Sequence, residues 1–210
     1  NPKGFEQIVY DVLANTQDMN IIEKPEPEDT PFYINNGTIN VGNTNGKVIL
    51  QTFSLESLVR VAEVFQGKVP MCFLLWKGTG ATDLTYDDPL GYASFINLGV
   101  KYKAHFIGPC IAGAPNDYPE LDQPWQDYLI HRAKMKNHPY TFDTYDQMAK
   151  YFGQYNFGVA DGMFNPPYLD ALFTNHSDMS INYMITQGWR KSPASETLVD
   201  AKVVLERLGY

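Results

Sequence analysis

The sequence is poor in basic residues and in long apolar runs. Its 210 residues hold 16 Lys and Arg against 24 Asp and Glu, which gives a net charge of -8. This balance argues against a nucleic-acid partner, because a polyanion is normally bound by a basic surface. No apolar run reaches the roughly 18 residues of a transmembrane helix. Hydrophobic residues at 44% and charged residues at 19% also exclude a disordered polyelectrolyte.

Cysteines and recognisable catalytic motifs are scarce as well. Cys72 and Cys110 are too few for a disulfide scaffold and have no metal-type spacing, although an oxidising compartment would allow them to pair. No EF-hand, HExxH, GxSxG or P-loop pattern occurs. Clustered carboxylates lie in proline-containing loops, where solvated turns are the default interpretation, at residues 26–29, 87–88 and 117–120. Spacing alone therefore predicts no catalytic residue and no metal ligand.

The sequence predicts different roles for its four histidines. His138, in the segment HPYTF, is either an acid, a base or a ligand, or a packed residue in the wall of a pocket. The packed interpretation is favoured, because no second histidine or carboxylate has a recognisable spacing to it. His105 and His131 are expected to be structural or on the surface, and His176 is expected on the surface.

Short apolar runs alternate with amphipathic segments along most of the chain. The runs predict five buried strands, over residues 48–53, 69–76, 104–108, 137–142 and 170–175. Helices are predicted before the first strand and after each strand, with Ser54 as an N-cap, and a C-terminal helix is predicted over 195–209. Residues 15–46, interrupted by Pro and Gly, are predicted to form a long loop or insertion.

Repeated strand–helix units predict one α/β domain over residues 1–210, with parallel strands and crossover helices. Such units curve either into a doubly wound sheet or into a (β/α)8 barrel, and five units leave a barrel open. An open barrel exposes two strand edges, so a second chain or self-association is expected to cover them.

The carboxyl ends of the strands are where a site is expected in a βα-barrel. In this sequence they carry mainly rings and amides, with Lys77 and Asp143 as the only charges. A wall of rings and single polar groups suits a small polar ligand.

Several segments resemble, in the same order, the secreted or periplasmic glycerophosphodiester phosphodiesterases. The similar segments are 47–58 (KVILQTFSLESL), 106–109 (FIGP), 138–141 (HPYT) and 170–178 (DALFTNHSD), and residues 1–13 are similar to a helix of that family. Together these segments extend over nearly the whole chain.

This resemblance implies a (β/α)8 TIM-barrel fold, of which the chain supplies about the last five strands and their helices. It implies hydrolysis of glycerophosphodiesters to an alcohol and glycerol 3-phosphate, with a divalent metal, Ca²⁺ or Mg²⁺, and a histidine pair. The family's His-Arg-Gly, Glu-x-Asp and Glu-x-Lys motifs have no counterpart here. The catalytic histidines and metal ligands are therefore expected outside this chain, on a missing N-terminal portion of the barrel or a second chain. The family's location implies a secreted or periplasmic protein.

The resemblance assigns to this chain a substrate-binding wall. Its residues follow the predicted strands and are expected to contact a glycerophosphodiester: Gln51, Phe53, Trp76, Tyr140, Phe142, Phe173 and Asn175. The rings are expected to pack on the glycerol or the alcohol group, and an amide or the Tyr140 hydroxyl to bind its oxygens. One alternative is a non-catalytic barrel that binds a ligand or partner, or is a structural component. Another is a phospholipase D-type toxin, which the negative charge disfavours.

Overall fold

The structure is a computed structural model that describes residues 4–15, 48–66, 68–76, 88–154, 168–188, 190, 201–207 and 209. Contacts divide the chain into two compact units, of which the first ends at Asn175 and the second begins at His176. The first unit holds a four-stranded parallel sheet in the order β1-β2-β3-β4. The second unit holds helices only, among the residues that are described.

Strands and helices alternate along the first unit. The strands are β1 (Leu50–Thr52), β2 (Met71–Leu75), β3 (Phe106–Pro109) and β4 (Lys136–Asn137). The helices are α1 (Gly4–Asn15), α2 (Leu55–Phe65), α3 (Pro89–Lys101), α4 (Pro124–Arg132) and α5 (Tyr145–Ala149), which continues into a π-helix at Lys150–Gln154. The second unit contains α6 (Ser177–Thr186) and α7 (Ala201–Arg207). The predicted α/β class with parallel strands is confirmed.

The strand β2 lies at the centre of the packing because it is apolar on both faces. Its odd-numbered residues, among them Phe73, join the main core with α2, α3 and α4. Its even-numbered residues, Cys72 and Leu74, point to the opposite face and pack with Phe106 of β3. This alternation is the expected geometry of a strand covered on both sides.

Local sequence explains where the helices begin. The Ser54 hydroxyl accepts a hydrogen bond from the Ser57 amide at 3.3 Å, which confirms Ser54 as the N-cap of α2. Asp88 caps α3 in the same way, through the Gly91 amide at 2.8 Å. The carboxylate of Asp88 therefore has a capping role that the predicted solvated turn at 87–88 did not include, while residue 87 lies outside the described residues.

The predicted fifth strand, residues 170–175, is not a strand in the structure, although its backbone runs beside β4. Phe173 donates its amide to Pro139 O at 2.9 Å and accepts from the Phe142 amide at 2.8 Å. A regular ladder needs amide donors from residues 137 and 139 as well. Pro139 has no N–H, and the Asn137 amide donates to the Asp170 side chain instead, at 2.8 Å. The ladder therefore lacks the donors that residues 137 and 139 would supply, and only the Phe142 amide donates from this side among the backbone bonds described.

Other predictions fall partly or wholly outside the described residues. The loop predicted for 15–46 lies there apart from Asn15, which ends α1, and so do the carboxylates at 26–29. The C-terminal helix predicted over 195–209 is described as α7, while residues 195–200 are outside the description. Cys72 and Cys110 are buried free thiols, so the possible pairing does not occur. Among the described helices, none has the length and apolarity needed to cross a membrane.

Candidate functional site

An open pocket of about 310 Å³ lies at the carboxyl ends of the strands in the first unit. Residues of β1 and β2, residues that follow β1 and β4, and the segment beside β4 form its walls. The lining residues are Gln51, Phe53, Leu74, Tyr140, Thr141, Phe173, Thr174 and Asn175. Rings, amides and hydroxyls therefore surround one concave space, and no charged side chain is among these described lining residues.

Most residues predicted for the substrate-binding wall come together in this pocket, namely Gln51, Phe53, Tyr140, Phe173 and Asn175. Trp76 and Phe142 do not line it. Phe142 is fully buried and packs against the rings of Tyr151 and Phe152, behind the wall. Trp76 is 39% exposed and contacts the ring of Tyr118. Regular strand alternation would place residues 140 and 142 on the same side, but β4 ends at Asn137, so Phe142 lies in irregular backbone where that alternation does not apply.

A row of aromatic rings connects Trp76 to the pocket. The ring centroids of Trp76 and Tyr118 are 6.2 Å apart, and those of Tyr118 and Tyr140 are 6.1 Å apart. The row continues from Tyr140 to Phe53 at 5.7 Å, in an edge-to-face arrangement. Tyr118 was missed by the sequence analysis, because it lies in a loop after β3 with no strand pattern to point to it.

The Tyr140 hydroxyl forms a hydrogen bond within the protein. It donates to the backbone oxygen of Leu75 at 2.9 Å. Burial raises the pKa of Tyr140, with a further contribution from Cys110, so the phenol is neutral. Because this bond takes its proton, the Tyr140 hydroxyl can meet a ligand oxygen only as an acceptor of that oxygen's proton.

Asn175 is held at the edge of the pocket by Asp143. One carboxylate oxygen of Asp143 accepts the backbone N–H of Asn175 at 2.9 Å, and the other accepts its side-chain Nδ2 at 2.9 Å. The sequence pattern placed both residues at strand ends but gave no sign that they would meet.

His138 lies behind the pocket wall. Its ring is 4.0 Å from that of Phe173 and 5.5 Å from that of Phe106, measured between centroids. Burial lowers the pKa of His138 to about 4, so the ring is neutral near pH 7. It is 5% exposed, and its Nδ1 has no hydrogen-bond partner. This position agrees with the packed interpretation of His138.

The other histidines are structural or exposed, as expected. His105 is fully buried, and its Nδ1 accepts the Met71 amide at 3.0 Å. His176 is exposed at the start of α6. His131 forms ion pairs with Asp127 at 3.0 Å and with Asp170 at 2.8 Å.

The ion pairs of His131 belong to a buried polar network beneath β4. Asn137 donates its side-chain Nδ2 to Asp122 at 2.9 Å and to Asp127 at 3.0 Å, and all three residues are fully buried. Asp170 accepts from Lys136 at 2.9 Å as well as from His131. The sequence analysis missed this network, because its members are far apart in the chain and follow no motif.

The pKa shifts of the ionisable groups in the network differ in direction. Burial lowers the pKa of His131, but hydrogen bonds to Asp127 and Asp170 outweigh burial and raise it to about 9. Burial raises the pKa of Asp170, but the hydrogen bonds from His131 and the Asn137 amide lower it further than burial raises it. Asp122 has no cation beside it among the described residues, and burial together with the charge of Asp127 raises its pKa well above the usual range.

The remaining carboxylates that the structure describes do not form a metal centre. Glu120, from the cluster at 117–120, pairs with Lys150 at 2.7 Å and accepts from the Tyr151 hydroxyl at 2.6 Å. Within the described ranges, no group of three or more His, Cys, Asp or Glu residues could hold a metal ion. These described residues therefore do not fit the divalent metal that the resemblance implies.

Comparisons with known proteins give no relative: no protein-family model matches the chain, and no curated protein matches it.

Proposed function

We propose that this chain forms the substrate-binding wall of a phosphodiester hydrolase of the glycerophosphodiester phosphodiesterase type. Its pocket would take the glycerol or alcohol part of a glycerophosphodiester. The observation that carries the proposal is the convergence of Phe53, Tyr140 and Phe173 with the amides of Gln51 and Asn175 in one pocket. Rings pack on the carbon skeleton of a polyol while amides bind its hydroxyls, a division of roles common in small-molecule sites.

The order of the strands supports a barrel-type architecture. Four parallel strands alternate with helices, and they lie in the sheet in chain order, β1-β2-β3-β4. In a (β/α)8 barrel each strand follows its predecessor around the sheet, whereas a doubly wound sheet reverses its strand order at a switch point.

The reaction needs groups that the described residues do not supply. By the resemblance, Ca²⁺ or Mg²⁺ and a histidine pair act in the intact protein, and their ligands and side chains lie outside this chain. The part played by this chain is to bind and orient the substrate. Its neutral pocket admits the anionic phosphodiester without a carboxylate facing it.

The proposal is tested by titrating the 210-residue chain with sn-glycero-3-phosphocholine and measuring affinity by calorimetry. We expect saturable binding, and Phe53→Ala should weaken it by roughly tenfold, because the ring loses its contact with the ligand. Phe53 is 37% exposed, so its removal is expected to leave the fold intact.

Phe5→Ala is the matched control, because Phe5 is 73% exposed on α1 and does not line the pocket. Its affinity should equal that of the unmodified chain. Absence of saturable binding, or equal affinity after Phe53→Ala, would overturn the proposal. Release of glycerol 3-phosphate by this chain with Ca²⁺ or Mg²⁺ would show that its own residues also catalyse the reaction, and would overturn the assignment of the catalytic groups to another part.

A further inference from the structure

Asp143 is fixed in place by the start of α5. The Gln147 side chain accepts the amides of Asp143 at 2.7 Å and Thr144 at 3.0 Å, while the Thr144 hydroxyl accepts the Gln147 amide at 3.2 Å. These contacts form a capping box, which holds the backbone before the helix in one conformation. Asp143 therefore presents its carboxylate from a rigid position.

The carboxylate determines how the amide of Asn175 is oriented. An ionised carboxylate can only accept hydrogen bonds, so it binds the nitrogen end of a side-chain amide. Asp143 accepts the backbone N–H of Asn175 and one of the two N–H groups of Nδ2, at 2.9 Å each, so the nitrogen end of the side-chain amide is turned toward Asp143. The oxygen end, Oδ1, is then left for the pocket that Asn175 lines.

We propose that Asp143 is a positioning residue for the pocket: it orients Asn175 so that position 175 offers a neutral oxygen acceptor to a hydroxyl group of the ligand. This inference rests on the proposed function, and it names the ligand group that Asn175 binds, which is a hydroxyl donor. Two charge-assisted hydrogen bonds to one residue fix both its backbone and its side chain.

The pair also keeps negative charge away from the ligand. Asp143 itself does not line the pocket, and its carboxylate bonds to the amide of Asn175, which does. A carboxylate at position 175 would face the phosphodiester and repel it, and would also lie within hydrogen-bond distance of Asp143. An acid at 143 with an amide at 175 is thus the arrangement that suits an anionic ligand.

The orientation of the amide is measured without any ligand. In the unmodified chain, the heteronuclear ¹⁵N NOE of the Asn175 side-chain NH₂ should indicate an ordered group, and Asp143→Ala should make it mobile. Asp146→Asn is the control, since Asp146 is an exposed acid on the first turn of α5 and is expected to leave the NH₂ group ordered. An Asn175 NH₂ equally ordered in the absence of the Asp143 carboxylate would refute the positioning role.

Affinity for sn-glycero-3-phosphocholine supplies the second measurement. Asp143→Ala should weaken binding by roughly tenfold, as expected for the loss of one oriented hydrogen bond, and Asp146→Asn by less than about twofold. The exchange Asp143→Asn with Asn175→Asp restores a donor–acceptor pair but moves the charge into the pocket. It should weaken binding more than Asp143→Ala does, by roughly a hundredfold.

The two measurements separate the two proposals. In one case, the order of the Asn175 NH₂ group depends on Asp143 but the unmodified chain does not bind sn-glycero-3-phosphocholine. This result would overturn the proposed function. In a second case, Asp143→Ala makes the Asn175 NH₂ group mobile but leaves the affinity for sn-glycero-3-phosphocholine unchanged. This result would overturn the role of the pair in ligand binding. Thermal unfolding of each variant within about 3 °C of the unmodified chain confirms that the fold is intact.

Discussion

The sheet of this protein is stabilised differently around β2 and around β4. The strand β2 has five buried apolar residues and pairs with a strand on each side. The strand β4 has two residues, and its buried side chain, Asn137, contacts carboxylates instead of hydrocarbon. Two neighbouring parts of one sheet therefore exclude water in two ways, one by apolar packing and the other by a hydrogen-bonded network.

The two ways have different energetic consequences. Each buried apolar side chain around β2 contributes about 2 kcal/mol, whatever the pH. The network around β4 contributes little net stability, because desolvation offsets much of the attraction between its charges, but removal of one partner leaves another charge buried alone. The network instead fixes the position of a chain segment. Asp170 accepts hydrogen bonds from His131, Lys136 and the Asn137 amide. These bonds hold the segment that places Phe173 in the pocket wall. Apolar packing around β2 therefore supplies most of the folding stability of the sheet, and the polar network around β4 fixes the position of the segment that follows Asp170.

The largest effect is expected in the apolar region. Phe73 stacks on Phe95 with 4.4 Å between ring centroids and is fully buried. Phe73→Ala should lower the free energy of unfolding by about 4 kcal/mol, through lost burial and a cavity, and by the same amount at every pH. Urea denaturation at pH 6 and pH 9 measures this. Leu90→Ala, at an 81% exposed position, is the control and should change stability by less than about 0.5 kcal/mol.

A smaller, pH-dependent effect is expected from the network. The pKa of His131 is raised to about 9 in the folded state, above its ordinary value of 6.5. Its stabilising contribution is therefore fully present below pH 6.5 and is lost as the pH rises through about 9. His131→Gln should lower the free energy of unfolding by about 3 kcal/mol at pH 6 and by progressively less toward pH 10.

The exposed His176 supplies the control for that measurement, and His176→Gln should change the free energy of unfolding at pH 6 by less than about 0.5 kcal/mol. A loss for His131→Gln that is equal at pH 6 and pH 10 would contradict the charged role of the residue. Asp170 gives the opposite sign: its lowered pKa means that its contribution is present at neutral pH and is lost as the pH falls through its folded-state pKa.

Gly108 tests the junction between the two regions, because β3 separates β2 from β4. A Cβ at this position would lie 2.7 Å from Leu74 Cδ2, 2.8 Å from Cys72 Sγ and 3.0 Å from the backbone oxygen of His138. Since backbone cannot move aside easily, Gly108→Ala should destabilise the protein by about 2 kcal/mol in thermal or urea unfolding. Gly153→Ala is the matched control, because no atom of the described residues beyond its chain neighbours lies within 4 Å of its added Cβ.

The smallest effect is expected at Asp122. Its raised pKa means that the folded state holds a proton which the unfolded chain releases above about pH 4, so stability falls as the pH rises from there. Asp122→Asn imitates the protonated form, and should change stability at pH 6 by less than about 1 kcal/mol while making it less dependent on pH. Urea unfolding from pH 6 to pH 9 checks this, and a steeper pH dependence in the variant would contradict it.

The same contrast explains what could be predicted from the sequence. Apolar runs and caps are local signals, so β2, α2 and the parallel α/β class were predicted from the residues themselves. The fifth strand was predicted wrongly, because a run such as DALFT cannot show that Pro139, more than 30 residues earlier, lacks the amide needed for pairing.

The pocket was also predictable only in part. Residues at strand ends are brought together by any parallel sheet, which is why Gln51, Phe53 and Tyr140 were identified. The contact between Asp143 and Asn175 and the network around Asn137 join residues distant in sequence, through side-chain hydrogen bonds that depend on tertiary structure. Periodicity carries no information about such pairs.

The state of the two thiols has a practical consequence for spectroscopy. Cys72 and Cys110 are fully buried, and burial raises the pKa of each, that of Cys110 to about 12. Because maleimide reagents react with exposed thiolates, the folded protein should take up no label at either position. A single cysteine introduced on the surface can therefore carry a fluorophore or spin label while both native cysteines stay in place.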